Sequence, residues 1–111
     1  MTTRTLQILL ALADAGPLHG YGIKQRVEER TDGTVRLGSG TLYEAVARLS
    51  DQGWIEEVDA PADEPASGGA PRRFYELLPA GRDALRQELL RMEAVVRYAR
   101  RRNLIRDAPT G

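Results

Sequence analysis

An apolar repeat near the end of the chain is the feature that most constrains its fold. Six residues recur at steps of four and three, the spacing of a coiled-coil seam: Leu85, Leu89, Met92, Val96, Ala99 and Asn103. The segment from Pro79 to Pro109 predicts a helix of about 28 residues, roughly 42 Å long at 1.5 Å per residue. A chain of 111 residues buries a modest core and cannot cover such a helix alone. We therefore expect a second chain to pack against this seam.

Two further apolar patterns predict helices in the first part of the chain. The segment RTLQILLALADAG has a wide apolar face that includes Leu6, Leu9 and Leu10, and Gly16-Pro17 ends it. The segment HGYGIKQRVEERTDG predicts a second, shorter helix. Because the first helix is unusually apolar, we expect its three leucines to pack with the seam at Leu85–Val96 and hold two chains together.

A third helix pattern lies in the segment GSGTLYEAVARLSDQG. Leu42, Val46 and Leu49 form its core-facing stripe, and Ser39 is expected to cap its start by accepting a backbone N–H bond. The side opposite the stripe begins with small, hydroxyl and aromatic residues. A helix start of this kind is suited to contact a partner outside the core.

Two short segments that follow, WIEEVDA and RRFYELL, predict strands because they are rich in aromatic and β-branched residues. Between them, DAPADEPASGGAP predicts a loop, since it holds three prolines and two glycines. This order predicts a mainly α fold with a small β-hairpin, a winged helix-turn-helix plus a long C-terminal helix. We expect residues 1–78 to form a DNA-binding domain and residues 79–111 to form a dimerisation helix.

Three segments also carry a family resemblance. GPLHGYGIKQRVEE, GSGTLYEAVARLSDQGWIEE and PRRFYELLPAGRDAL resemble the PadR family of transcriptional regulators, in order and spacing, over roughly Leu6 to Leu89. The compact size and single C-terminal helix are similar to the family's shorter branch. The resemblance implies a homodimer that represses promoters and responds to a small aromatic or lipophilic effector. Two recognition helices in such a dimer would meet successive major grooves, so the operator should be a palindrome with half-sites roughly 34 Å apart.

The predicted interface with double-stranded DNA joins the start of the third helix to nearby polar groups and to the wing, which is the predicted hairpin formed by the two strands and the loop between them. The residues expected to contact DNA are Tyr21, Lys24, Ser39, Gly40, Thr41, Tyr43, Glu44, Arg48, Arg72 and Arg73. Small residues at a helix start let backbone N–H groups approach a phosphate, and the helix dipole favours that anion. The alternative is that Ser39 only caps, Tyr43 packs on the hairpin, and the two wing arginines are ordinary strand charges. His19 is expected to cap the second helix or to bind a phosphate.

The predicted dimer interface follows from the apolar faces of the first and last helices. Its members are Leu6, Leu9, Leu10, Leu85, Leu89, Met92, Val96 and Ala99. The candidates for an effector site are Trp54, Met92, Val95 and Tyr98. Core packing is the alternative role of Trp54, and seam packing that of Met92.

Composition argues against other classes of protein. The chain has no cysteine and a single histidine, and it lacks both a Ser–His–acid arrangement and a phosphate-binding glycine loop. We therefore expect no enzyme activity, no metal and no cofactor. No run of 18 apolar residues suggests a membrane span, so a cytoplasmic protein is expected.

The formal net charge of zero argues weakly against a nucleic-acid binder, although the stretch from Arg72 to Arg106 holds 10 arginines against four acids. The alternative function is a winged-helix module that binds another protein and not DNA. A salt-dependent affinity for duplex DNA distinguishes the two.

Overall fold

The computed structural model describes residues 1–62 and 73–106, and these form four helices and three short strands. The elements are α1 (Thr3–Ala15), β1 (Leu18–His19), α2 (Gly20–Arg30), α3 (Ser39–Asp51), β2 (Ile55–Val58), β3 (Phe74–Leu77) and α4 (Pro79–Arg101). The predicted order of three helices, two strands and a long helix is confirmed, and so is the mainly helical fold class. None of the described helices is both long and apolar enough to span a membrane.

The small sheet has three antiparallel strands and not the two of the predicted hairpin. Its order is β1-β3-β2, so the last strand in sequence lies in the middle. β1 pairs with β3 through Leu18 opposite Tyr75 and His19 opposite Phe74. With two residues, β1 is too short to show the alternating pattern by which a strand is recognised in sequence. The sheet thereby joins the start of α2 to the wing strand.

The core surrounds α1, which packs against α2, α4 and β3. Ile8 and Leu9 of α1 and Ile23 of α2 have no exposed surface. The stripe predicted on α3 is confirmed, since Leu42, Val46 and Leu49 are all buried. Each fully buried aliphatic side chain of this kind stabilises the fold by about 1.5–3 kcal/mol relative to leaving it exposed.

The structure corrects part of the predicted dimer interface. Leu9 is 0 % exposed, Leu6 8 % and Leu85 4 %, so these three residues fill the core of their own chain. The first helix is apolar on several sides because α4 of the same chain packs on it. Leu10 is half-buried and packs against the same core. The apolar surface of α4 that its own chain leaves exposed therefore lies mainly on the later turns of that helix.

The last helix is shorter than its sequence predicts. α4 has 23 residues, which corresponds to roughly 34 Å at 1.5 Å per residue. It ends because Asn103 adopts the left-handed conformation, with φ of 59°, one residue after the C-cap. The backbone N–H of Leu104 then donates to the carbonyl of Ala99 at 2.9 Å, as in a Schellman motif. Asn103 consequently lies beyond the helical seam to which its spacing assigned it.

Candidate nucleic-acid interface

The start of α3 differs from the starts of the two helices before it. Thr2 caps α1 by accepting the N–H of Thr5 at 3.1 Å, and His19 caps α2 by accepting the N–H of Gly22 at 3.0 Å. No side chain caps α3, whose N-cap is Gly38. The cap predicted for His19 is confirmed and the one predicted for Ser39 is wrong. Gly38 has the extended backbone that an N-cap requires, which makes Ser39 the first helical residue.

This uncapped start lies on an exposed, polar side of α3. Its exposed residues are Ser39, Gly40, Thr41, Tyr43 and Glu44. Tyr43 is 57 % exposed, although its helix is anchored by the buried residues on the other side. A side chain added at Gly40 would enter open space. The first backbone N–H groups of α3 are thus accessible to a ligand, with hydroxyl groups beside them.

The start of α2 lies next to the start of α3. A Cβ added at Gly20 would lie 3.4 Å from the hydroxyl oxygen of Tyr43, so the two helices meet closely there. The neighbouring Tyr21 is 64 % exposed and its ring stacks on His19, with centroids 6.4 Å apart. Lys24 follows Tyr21 on α2, and its side chain is half-buried. The structure therefore brings Tyr21 and Tyr43, two of the predicted DNA contacts, to one corner of the molecule.

The wing contributes the guanidinium of Arg73, which lies where α3 faces the sheet. Arg73 stands directly before β3, and its Nε lies 3.7 Å from Oε1 of Glu57 on β2. Tyr43, Glu57, Arg73 and Tyr75 line part of a concavity of about 430 Å³ between α3 and the sheet. Burial raises the pKa of the Tyr75 hydroxyl, the Glu57 carboxylate raises it further, and Arg73 lowers it. Arg72 lies outside the described residues, and its contact with DNA stays a prediction.

Glu57 and Tyr75 were not among the predicted site residues. The signal that identifies them is the pairing of β2 with β3, which sets Glu57 opposite Tyr75. Tyr75 also follows Arg73 by two residues, the spacing that places side chains on one face of a strand.

Arg48 lies apart from the other predicted DNA contacts. It belongs to the last turn of α3, and its Nη2 donates to the hydroxyl of Thr5 at 3.0 Å. At 1.5 Å per residue, it is roughly 10 Å along the helix from Thr41. In this chain Arg48 joins α3 to α1, and its contact with DNA stays a prediction.

The candidate effector residues do not form one site within the chain. Trp54 is half-buried and packs against the core, and a Cβ added at Gly81 would lie 2.2 Å from its carbonyl oxygen. Met92 follows Gly81 by 11 residues, which is roughly 16 Å along a helix. Tyr98 is further along still, with the guanidinium of Arg102 over its ring at 5.3 Å from the centroid.

The helix α4 carries a run of exposed apolar side chains on its later turns. Its exposed large apolar residues are Leu89, Leu90, Met92, Val95, Val96 and Tyr98. At 100° per residue, Leu89, Met92 and Val96 lie within about 60° of one another around the helix, and the half-buried Ala99 lies about 20° beyond Met92. An exposed apolar stripe of this kind is typical of an interaction surface.

Three helices with an adjoining small antiparallel sheet are the elements of the winged helix-turn-helix class of proteins. The family model described as the transcriptional regulator PadR-like family matches residues 8–87. The chain belongs to this family, whose members regulate transcription.

Proteins of known structure resemble the chain in fold. A PadR family transcription regulator from Clostridium difficile superposes with a TM-score of 0.72 at 23% identity, covering 90% of this chain and 97% of that one. Bacillus subtilis PadR, solved in complex with operator DNA, has a TM-score of 0.65 at 21% identity, covering 100% of this chain and 51% of that one.

A sequence relative comes from a mobile element. A 37.1 kDa protein in a transposon of Streptomyces fradiae is 43% identical over 81 residues, which are 73% of this chain. The chain matches 20% of the length of that curated relative.

Proposed function

We propose that the protein is a homodimeric repressor that binds a palindromic operator through α3. The observation that carries the proposal is the exposed start of α3, which no side chain caps. Membership of a family of transcriptional regulators supports it, and so does the likeness to a PadR solved with operator DNA. In the proposed complex, α3 lies in the major groove and the wing contacts the adjoining backbone.

The chemistry of the α3 start suits both phosphate and base edges. Open backbone N–H groups and the positive end of the helix dipole attract a phosphate. The hydroxyls of Thr41 and Tyr43 can donate to phosphate oxygens, and the Thr41 methyl can pack on a thymine methyl. Glu44 can accept from the amino group of cytosine. Arg73 adds a guanidinium that grips the backbone from the wing, and Arg72 is proposed to do the same.

The partner proposed for the apolar stripe on α4 is a second copy of this chain. Leu89, Met92 and Val96 are each between a third and a half exposed, which leaves them free to interdigitate across a two-fold axis. Such a dimer would present two α3 helices to one face of the duplex, with half-sites roughly 34 Å apart.

A small aromatic or lipophilic effector would act through the spacing of the two α3 helices. It can shift that spacing only by binding one arrangement of the dimer better than another. Changing the bound fraction of operator from 99:1 to 1:99 needs a differential of about 5.5 kcal/mol.

The alternative function is a winged-helix module that binds another protein. The formal net charge of zero is the observation that favours it. Titrating the protein with duplex from the region upstream of its own gene, at two salt concentrations, separates the two functions. A regulator that grips phosphates loses affinity steeply as salt rises, whereas a protein-binding module does not bind the duplex at all.

Replacing Tyr43 by Ala is expected to weaken operator binding about tenfold and to leave the dimer intact. The change removes an exposed ring and hydroxyl from the proposed contact surface, a loss of about 1–2 kcal/mol for one groove or phosphate contact. Fluorescence anisotropy with a labelled duplex measures the affinity, and sedimentation measures the dimer.

Two further variants control this experiment. Tyr43→Phe keeps the ring and removes only the hydroxyl, so it separates the two contributions. Gln87→Ala changes an exposed residue of α4 that does not line the concavity beside Tyr43, and it should bind like the unchanged protein. Unaltered operator affinity in Tyr43→Ala would remove α3 from the proposed interface.

A further inference from the structure

An acidic residue is paired with the wing arginine on the face that the proposed function assigns to DNA. The β2–β3 register sets Glu57 opposite Tyr75, and Arg73 precedes Tyr75 by two residues. All three side chains therefore belong to one face of the sheet. The 3.7 Å between Arg73 Nε and Glu57 Oε1 agrees with this placement.

The same face borders α3. Glu57, Arg73 and Tyr75 line the concavity between α3 and the sheet together with Tyr43. The influence of Glu57, Arg73 and Tyr43 on the pKa of Tyr75 reports the same proximity. A carboxylate thus lies beside the wing cation, in the same concavity as Tyr43 of the α3 start at which phosphates are expected.

Glu57 opposes a phosphate in two ways. Its charge offsets the field of Arg73, so an approaching phosphate meets a nearly neutral pair. Once Arg73 turns to the phosphate, the Glu57 carboxylate is left near that anion, and like charges repel. The pair is weak enough to open, because both side chains are more than half exposed.

We propose that Glu57 limits the affinity of the protein for DNA by competing with backbone phosphate for Arg73. This inference rests on the proposed DNA-binding function. Because Arg73 contacts a phosphate and no base in this account, the limit applies to any duplex sequence.

Replacing Glu57 by Gln is therefore expected to tighten binding to operator and to random duplex alike, by about two- to fivefold. The plot of log affinity against log salt should also steepen by up to about 0.9, the value of one phosphate contact. Anisotropy titrations of the full chain with both duplexes, at several salt concentrations, measure these changes.

The matched control is Glu76→Gln. Glu76 is exposed on β3, where it follows Tyr75 directly and belongs to the opposite face. Glu76→Gln changes the net charge by the same amount as Glu57→Gln, so it measures the long-range effect of losing one acidic group. In an Arg73→Ala background, Glu57→Gln should have no more effect than Glu76→Gln. Equal affinities for the two Gln variants, or weaker binding by Glu57→Gln, would overturn the inference.

A second readout does not depend on DNA. Because the Glu57 carboxylate raises the pKa of Tyr75, Glu57→Gln should lower the pKa of that phenol, whereas Glu76→Gln should change it less. A tyrosine-resolved NMR titration of the folded protein measures it, and an unchanged pKa would contradict the proposed network. If no variant binds any duplex in dilute buffer, the proposed function fails. If the unchanged protein binds and the two Gln variants agree, only the role of Glu57 fails.

Discussion

Replacing Leu89 by Arg is expected to give monomers that no longer bind the operator. Leu89 is 38 % exposed on the apolar stripe of α4, so its own chain tolerates a longer polar side chain there. In the proposed dimer the same change buries an unpaired charge, which costs about 3–5 kcal/mol. Because the proposed interface is two-fold, both copies carry the substituted residue. The dissociation constant of the dimer should rise at least about a hundredfold.

The matched control places the same side chain on the other side of α4. Ala94 is exposed and, at 100° per residue, lies about 160° around the helix from Val96. Ala94→Arg should therefore remain a dimer and retain operator binding. Sedimentation at micromolar concentration and anisotropy titration measure both properties. A stable Leu89→Arg dimer would mean that the subunits meet elsewhere on the chain.

Replacing Gly81 by Ala is expected to destabilise the fold by about 3 kcal/mol or more, the upper end of the cost of overpacking. A Cβ at this position would lie 2.2 Å from the carbonyl oxygen of Trp54 and 2.9 Å from Cδ1 of Leu77. The carbonyl oxygen of Trp54 belongs to the backbone, so it cannot rotate away as a side chain could. To make room, α4 must move off the sheet, which strains the 2.9 Å hydrogen bond from the Leu78 N–H to the same carbonyl.

The control for Gly81 is the same substitution in open space. Gly40 lies in the first turn of α3, and an added Cβ there would contact nothing within 4 Å. Gly40→Ala should change stability by no more than about 1 kcal/mol, in the stabilising direction, because Ala favours a helix over Gly. Gly81→Ala should lower the melting temperature by on the order of 10–20 °C in calorimetry. Equal melting temperatures for the two variants would contradict the close approach of α4 to Trp54.

The periodic elements of the fold could be predicted from sequence because their pattern is local. The stripe of Leu42, Val46 and Leu49 has one reading, a helix with one buried face. Helix ends are harder to predict from sequence. Gly38 and Ser39 are both acceptable N-caps, and only the backbone conformation shows that the N-cap is Gly38. The end of α4 was also uncertain, because the sequence offers more than one place to stop. The helix ends before Asn103, which adopts the left-handed conformation, and not near Pro109.

The partner of an apolar or long side chain could not be predicted from sequence. Leu85 and Leu89 occupy the same stripe of α4, yet the first is in the core and the second is exposed. Periodicity is identical for a residue that packs on its own chain and for one that packs on another. Arg48 contacts Thr5, which is 43 residues away, and only the packing of α3 on α1 brings them together. Glu57 was likewise missed, because only the register of β2 with β3 places it opposite Tyr75.

Selection of bound duplexes from a random pool tests the central claim most directly, because it reports DNA binding and dimer symmetry together. The account predicts enrichment of an inverted repeat whose half-sites are centred roughly 34 Å, or one helical turn, apart. The enrichment should be lost with Leu89→Arg and weakened with Tyr43→Ala. Recovery of unenriched sequence, or of a single unpaired half-site, would contradict a dimer that reads DNA through two α3 helices.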